Sequence, residues 1–150
     1  MLSATALPSW AKNWNADDFQ DYPYENKDFY SRAVEAIIPK TDTPGAADIG
    51  AHLYVERMIA DCYGSDVQQL MQQTIQVLEK AAQKNYSKTF SALDNSQTVS
   101  LLKENQSDKG VNLLKRLTLR AYTTSEYYLV NQKDYTIAPG FFSGCVDVVS

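Results

Sequence analysis

Two prolines set the tightest constraint on this chain. They stand in Ile37-Ile38-Pro39-Lys40-Thr41-Asp42-Thr43-Pro44-Gly45-Ala46-Ala47. Residues from Asp28 to Ile38 have the pattern of an amphipathic helix, with Phe29, Ala33, Val34 and Ile37 on one stripe. Pro39 ends it, because the proline ring clashes with an α-region residue before it and has no N–H to donate. Thr43 and Pro44 are suited to open a second helix, the hydroxyl as cap and the proline at the first helical position. Pro39, Thr43, Pro44 and Gly45 thus define a turn between two helices. Gly50 falls inside the second helix on this reading, at a cost of roughly 1 kcal/mol relative to alanine. The small residues Gly45, Ala46, Ala47, Gly50 and Ala51 then predict a close approach by another backbone. Asp42 is expected to order the turn by accepting backbone N–H groups.

Beyond this corner, helical signals recur. The second helix runs from about Pro44 to Tyr63 and is apolar over most of its circumference, which predicts a central position. Ala51, Val55, Met58 and Cys62 form one of its faces, and Asp48, His52 and Glu56 a narrow polar stripe. Gly64 stops it, and Ser65 is positioned to cap a third helix to about Asn85, with Val67, Leu70, Met71, Thr74, Val77, Leu78 and Ala81 inward. Asn95 or Ser96 caps a short fourth helix. A fifth spans roughly Lys109 to Tyr122, and Thr124 or Ser125 caps a last short turn. The chain is expected to be an all-α bundle of about five helices. The helical domain covers 27–130. It is flanked by an N-terminal arm over 1–26 and a C-terminal arm over 131–150, both aromatic-rich. Trp10, Trp14, Phe19, Tyr22 and Tyr24 sit in the first arm, and Tyr135, Phe141 and Phe142 in the second. So many aromatics in irregular arms are candidates for a partner surface as well as for the chain's own core.

The net charge of −4 has no basic block, which excludes a nucleic-acid footprint. No run approaches the roughly 20 apolar residues of a membrane span. Residues 1–11, small and apolar without a charged start, resemble the tail of an export signal.

The catalytic inventory is short. The single histidine, His52, shares its stripe with Asp48 and Glu56, and a metal-dependent enzyme there is one reading. A solvated or interface stripe is the other, since metal sites commonly gather several nitrogen or sulfur ligands. No Gly-x-Gly-x-x-Gly follows a strand, so a Rossmann-type flavin site is not expected in this chain. There is no Cys-x-x-Cys-His for haem, and two cysteines alone do not hold an iron–sulfur cluster.

The segment Ala36-Ile37-Ile38-Pro39-Lys40-Thr41-Asp42-Thr43-Pro44-Gly45-Ala46-Ala47-Asp48-Ile49-Gly50-Ala51-His52-Leu53-Tyr54-Val55 resembles the signature of the gluconate 2-dehydrogenase subunit 3 family. Near the other end, Arg120-Ala121-Tyr122-Thr123-Thr124-Ser125-Glu126, then Tyr135, then Pro139-Gly140-Phe141-Phe142-Ser143-Gly144-Cys145-Val146 resembles the family's ending. Ala121 stands where the family often has glycine, and Tyr127-Tyr128-Leu129 replaces its usual small run. The resemblance implies a non-catalytic small subunit of a periplasmic FAD-dependent sugar dehydrogenase. Flavin and chemistry would then belong to a glucose-methanol-choline-type catalytic subunit, with a cytochrome c or another carrier accepting electrons. Trp10, Trp14, Tyr22, Tyr24, Gly50, Tyr122, Tyr135, Phe141 and Phe142 are the candidates for the partner interface, and the resemblance further implies that Cys145 bridges to the catalytic subunit. A disulfide between Cys62 and Cys145 is the alternative, while Cys62 by its helix position reads as a buried free thiol. A stand-alone helical binding module remains a different functional class for the same sequence.

Overall fold

The computed structural model describes residues 25–135, which hold six α-helices and no strand. Helix α1 spans Lys27–Ile37, α2 Ala51–Cys62, α3 Ser65–Tyr86, α4 Asn95–Glu104, α5 Lys109–Thr123 and α6 Glu126–Lys133. A single 3₁₀ turn, Phe90–Ala92, links α3 to α4. The all-α architecture is as the periodicity predicts, with the short last turn extended into a true sixth helix.

Helix α1 is the hub. It packs against α2, α4, α5 and the 3₁₀ turn, and it buries Phe29, Tyr30, Ala33, Val34 and Ala36. The expectation that α2 would be central is corrected. Only Ala51, Val55, Glu56 and Ile59 of α2 are buried, while Leu53, Tyr54 and Met58 are half-buried. An apolar circumference does not by itself say how many neighbours a helix has. The short α1, with alanines at 33 and 36, lets four elements approach it at once. Phe90 is fully buried with its ring 4.6 Å from that of Phe29, centroid to centroid. The backbone N–H of Phe90 donates to Glu79 Oε2 at 2.9 Å, tying the 3₁₀ turn back to α3.

The helix starts are chemically explicit where the cap is an aspartate or a serine. Asp94 caps α4 in a full capping box with Gln97, so the cap falls one residue before Asn95 and two before Ser96. Asp108 caps α5 by accepting from the N–H groups of Gly110 and Val111, and Ser125 caps α6. Ser65 does not cap α3: Gly64 holds the cap position, and Ser65 is the first helical residue. Val77, expected inward on α3, is 47% exposed, because Met71, Thr74, Leu78 and Ala82 form the face that meets the bundle. No helix among the described residues is long and apolar enough to cross a membrane.

Candidate functional site

Pro39 ends α1 as predicted. Ile38, the residue before it, leaves the helical region at φ −132° and ψ 87°. The chain then turns back across the end of α1. Ala46 N–H donates to the Ile38 carbonyl at 2.9 Å, and Ala51 N–H donates to the Ala46 carbonyl at 3.0 Å. Lys40 N–H donates to Glu35 Oε1 at 2.9 Å. Residues 46–50 form turns, and α2 begins only at Ala51, so neither Thr43 nor Pro44 starts it. Gly50 is the reason. Its φ of +75° is left-handed, which interrupts a helix running from Pro44 and which glycine adopts without steric cost.

The close-packing expectation at Gly50 is therefore corrected: a Cβ there would meet nothing within 4 Å. The tight contact lies at Gly45, where a Cβ would come within 2.6 Å of the Glu35 carboxylate and 2.7 Å of the Lys40 amide nitrogen. Asp42 is exposed, and the carboxylates that order this loop are Glu35 and Asp48. Asp48 Oδ2 accepts from Gly45 N–H at 3.2 Å and pairs with Lys40 Nζ at 3.4 Å. On the far side of the corner, the hydroxyl of half-buried Tyr122 donates to the Pro44 carbonyl at 3.0 Å. The two segments that carry the sequence resemblance thus meet directly in space. The Tyr122 ring also packs edge-on against Tyr128 of α6.

The stripe of Asp48, His52 and Glu56 does not hold together. Asp48 precedes α2 and belongs to the corner. His52 and Glu56 lie on successive turns of α2. Glu56 is not solvated: it is 6% exposed, and its Oε1 accepts from Asn26 N–H at 2.8 Å, at the cap position of α1. Glu56 Oε2 and His52 Nδ1 are both buried without a hydrogen-bond partner. Burial pushes the Glu56 carboxyl above its ordinary value, and the bond from Asn26 only partly offsets this. Burial, then the charge of Lys27, lowers His52 and favours its neutral form. Among the described residues no three His, Cys, Asp or Glu side chains converge as metal ligands.

A cleft of about 240 Å³ lies beside Glu56, between the start of α1, the end of α2 and α3. Gln68 builds its floor by donating to the carbonyls of Ala60 at 2.9 Å and Tyr63 at 3.0 Å, which closes the C-terminal end of α2. Sequence reasoning missed Gln68 in this role, and it missed Glu56 as the partner of α1's first turn. A side chain that bonds thirty positions away leaves no local pattern.

Cys62 is an exposed free thiol, which corrects its expected burial; it ends α2, where the face of Ala51 and Val55 has turned out of the core. Tyr135 is 52% exposed at the end of α6. Trp10, Trp14, Tyr22, Tyr24, Phe141, Phe142 and Cys145 lie outside the described residues.

No curated protein matches the chain, and no solved structure does. A family model does, over residues 25–140, a span that includes the corner at 39–50, all six helices and the Tyr122 contact. On that match, the chain belongs to the family described as gluconate 2-dehydrogenase subunit 3.

Proposed function

We propose that this chain is the non-catalytic small subunit of a periplasmic FAD-dependent sugar dehydrogenase. It binds the flavin-carrying catalytic subunit and supports that subunit's folding, export and stability. The observation that carries this reading is the family match over 25–140. The side chains agree with a binding role. Burial favours the neutral form of the one histidine, and Glu56 and Asp48, which share its stretch of sequence, accept from the Asn26 and Gly45 N–H groups. Half-buried Leu53 and Met58 on α2, and exposed Leu119, Val130 and Tyr135, offer apolar area to a partner.

FAD belongs to the partner on this reading, where it would take a hydride from a secondary alcohol of a sugar or sugar acid such as gluconate, glucose or a glucoside. Electrons would leave through a cytochrome c or another carrier. The small subunit acts by mass action: a ligand that binds only the folded partner stabilises it by RT ln(1 + [L]/Kd), about 2.7 kcal/mol at a hundredfold excess over Kd. Cys145 is the candidate for a disulfide to the catalytic subunit.

Expressing the catalytic subunit with and without this chain tests the reading. Without it, flavin loading and periplasmic yield should fall several-fold. Normal loading and export of the catalytic subunit alone would refute it. Non-reducing electrophoresis of the purified complex tests the bridge, which predicts one band at the summed mass that a Cys145→Ser variant splits in two.

A further inference from the structure

The C-terminal end of α1 borders a second groove. Ile37 of α1, Val99 and Leu102 of α4 and Val111 of α5 form its apolar walls. Gln106, Asn112 and Lys115 form its rim. Its volume is about 230 Å³. A dry cavity of about 150 Å³ holds a benzene ring, so this groove has room for one aromatic side chain. Ile37 and Val99 are only half-buried, so the bundle leaves apolar area here without cover.

The rim is basic. Lys115 lines it, Lys103 stands one helical turn from Val99, and Lys109 and Arg116 stand one turn from Asn112. All four cations are exposed, and among the described residues none of them is in an ion pair. The nearby carboxylates do not serve them. Asp108 is taken up by the N–H groups of Gly110 and Val111 and by the Thr74 hydroxyl. Glu104 falls on the far side of α4 from Val99 and Leu102 by the helical period.

The chain itself contains a segment of the complementary chemistry. Asp17-Asp18-Phe19-Gln20-Asp21-Tyr22, outside the described residues, carries three carboxylates around two aromatic rings and no basic residue. We propose that this segment occupies the groove, with the Phe19 ring between Ile37, Val99 and Val111 and the aspartates facing Lys103, Lys109, Lys115 and Arg116. The reach is sufficient. Helix α1 rises about 15 Å from Lys27 to Ile37, and the six residues from Phe19 to Glu25 span about 20 Å when extended. Burial of the ring supplies the anchor, and the charges supply register and discrimination. An anionic bilayer is a poorer match, because the apolar face of α5, with Leu113, Leu114 and Leu117, is already buried in the bundle and has nothing left to insert. The proposal goes beyond the subunit reading and does not depend on it. It assigns Phe19 to the chain's own bundle and leaves Trp10 and Trp14 for a partner.

Carbodiimide cross-linking of the full chain tests the contact, because the reagent joins a carboxylate to an amine only where the two already touch. Peptide mapping of the monomer should find Asp17, Asp18 or Asp21 joined to Lys103, Lys109 or Lys115. The yield should hold over about a tenfold dilution, as an intramolecular contact requires, and fall several-fold in Phe19→Ala. In amide NMR, Phe19→Ala should also shift Val99, Leu102 and Val111 while leaving Gln68, at the other end of α1, in place. Absence of those cross-links, or groove amides that ignore Phe19→Ala, overturns the proposal. Cross-links found only between copies, read from a mixture of light and isotope-heavy chains, assign the groove to a second copy and overturn it as well. Groove amides that respond only to an added catalytic subunit, or only to phosphatidylglycerol vesicles, give the site to that partner or to a membrane and overturn the intramolecular assignment. All supporting readouts use the free chain, so failure here is distinct from failure of the subunit reading, which loss of flavin loading in the partner decides.

Discussion

At the scale of single residues, two glycines separate two reasons for lacking a side chain. Gly45 lies against Glu35 and Lys40, so Gly45→Ala forces the turn and the end of α1 apart. A loss of about 1–3 kcal/mol is expected, read as a lower urea midpoint. Gly50 has open space around it but a left-handed backbone. Gly50→Leu should cost about 1–2 kcal/mol through the backbone alone, and Gly50→Asn less, because asparagine tolerates that region. Equal losses for Leu and Asn would point to packing after all.

Glu56 and His52 give a pH signature. The folded chain holds the Glu56 proton above the ordinary value of 4.5, so between that value and the raised one it binds more protons than the unfolded chain. Stability contributed by protonated Glu56 is therefore lost as pH rises through that window. His52 is lowered from 6.5, so its contribution, present above 6.5, is lost as pH falls. The two dependences are opposite in sign. In Glu56→Gln only the His52 dependence remains, and stability should climb more steeply with pH up to about 6.5 than in wild type. Urea midpoints collected across that range check it, and parallel profiles would contradict the assignment.

At the scale of elements, the helices are joined by a few polar contacts placed where backbones come close. Gly110, in the first turn of α5, approaches Thr74 of α3 so nearly that a Cβ would come within 2.8 Å of the threonine Cβ. Thr74 in turn donates to the capping carboxylate Asp108 at 2.9 Å. Asp108→Ala removes the cap and this link together, with an expected loss of about 1–2 kcal/mol and a melting temperature lower by roughly 2–4 °C per kcal/mol for a chain of this size. Tyr122 staples α5 to the corner at Pro44. Tyr122→Phe keeps the ring and deletes only the hydroxyl, so a loss near 1 kcal/mol is expected. Faster amide exchange should appear at Ala46 and Ala51, whose N–H groups hold the corner in place.

Much of this level was legible in the chain. Pro39 stops α1, and periodic apolar stripes mark α1, α3, α4 and α5 within a residue or two. The start of α2 was misplaced by about seven residues, because threonine before proline is a sound local start signal that the tertiary contacts overrule. The Ile38 carbonyl and the Asp48 carboxylate hold residues 45 and 46 in a turn, so the local propensity goes unused.

At the scale of the whole molecule, the short helix α1 is surrounded by α2, α4, α5 and the 3₁₀ turn, and the corner at 39–50 is clasped between α1 and Tyr122. The two sequence segments that mark the family are in contact there, although they lie far apart in the chain. The acidic cleft opens beside the start of α1, where the described residues begin. On the proposed subunit reading, this chain's melting temperature should rise with the concentration of an added catalytic subunit. An unchanged melting temperature at every partner concentration would contradict the subunit reading.

The sequence by itself determined the all-α class, the stop at Pro39 and the family, because helix periodicity, proline geometry and ordered short motifs are local and survive without neighbours. It also placed Asp48, His52 and Glu56 in one short stretch. The folded structure decided what Asp48 and Glu56 do. Asp48 stays in the corner with Gly45 and Lys40, ahead of the left-handed Gly50. Glu56 went to Asn26 because α1 starts beside the end of α2. The energy of a carboxylate depends on what surrounds it, and those surroundings come from residues distant in the chain.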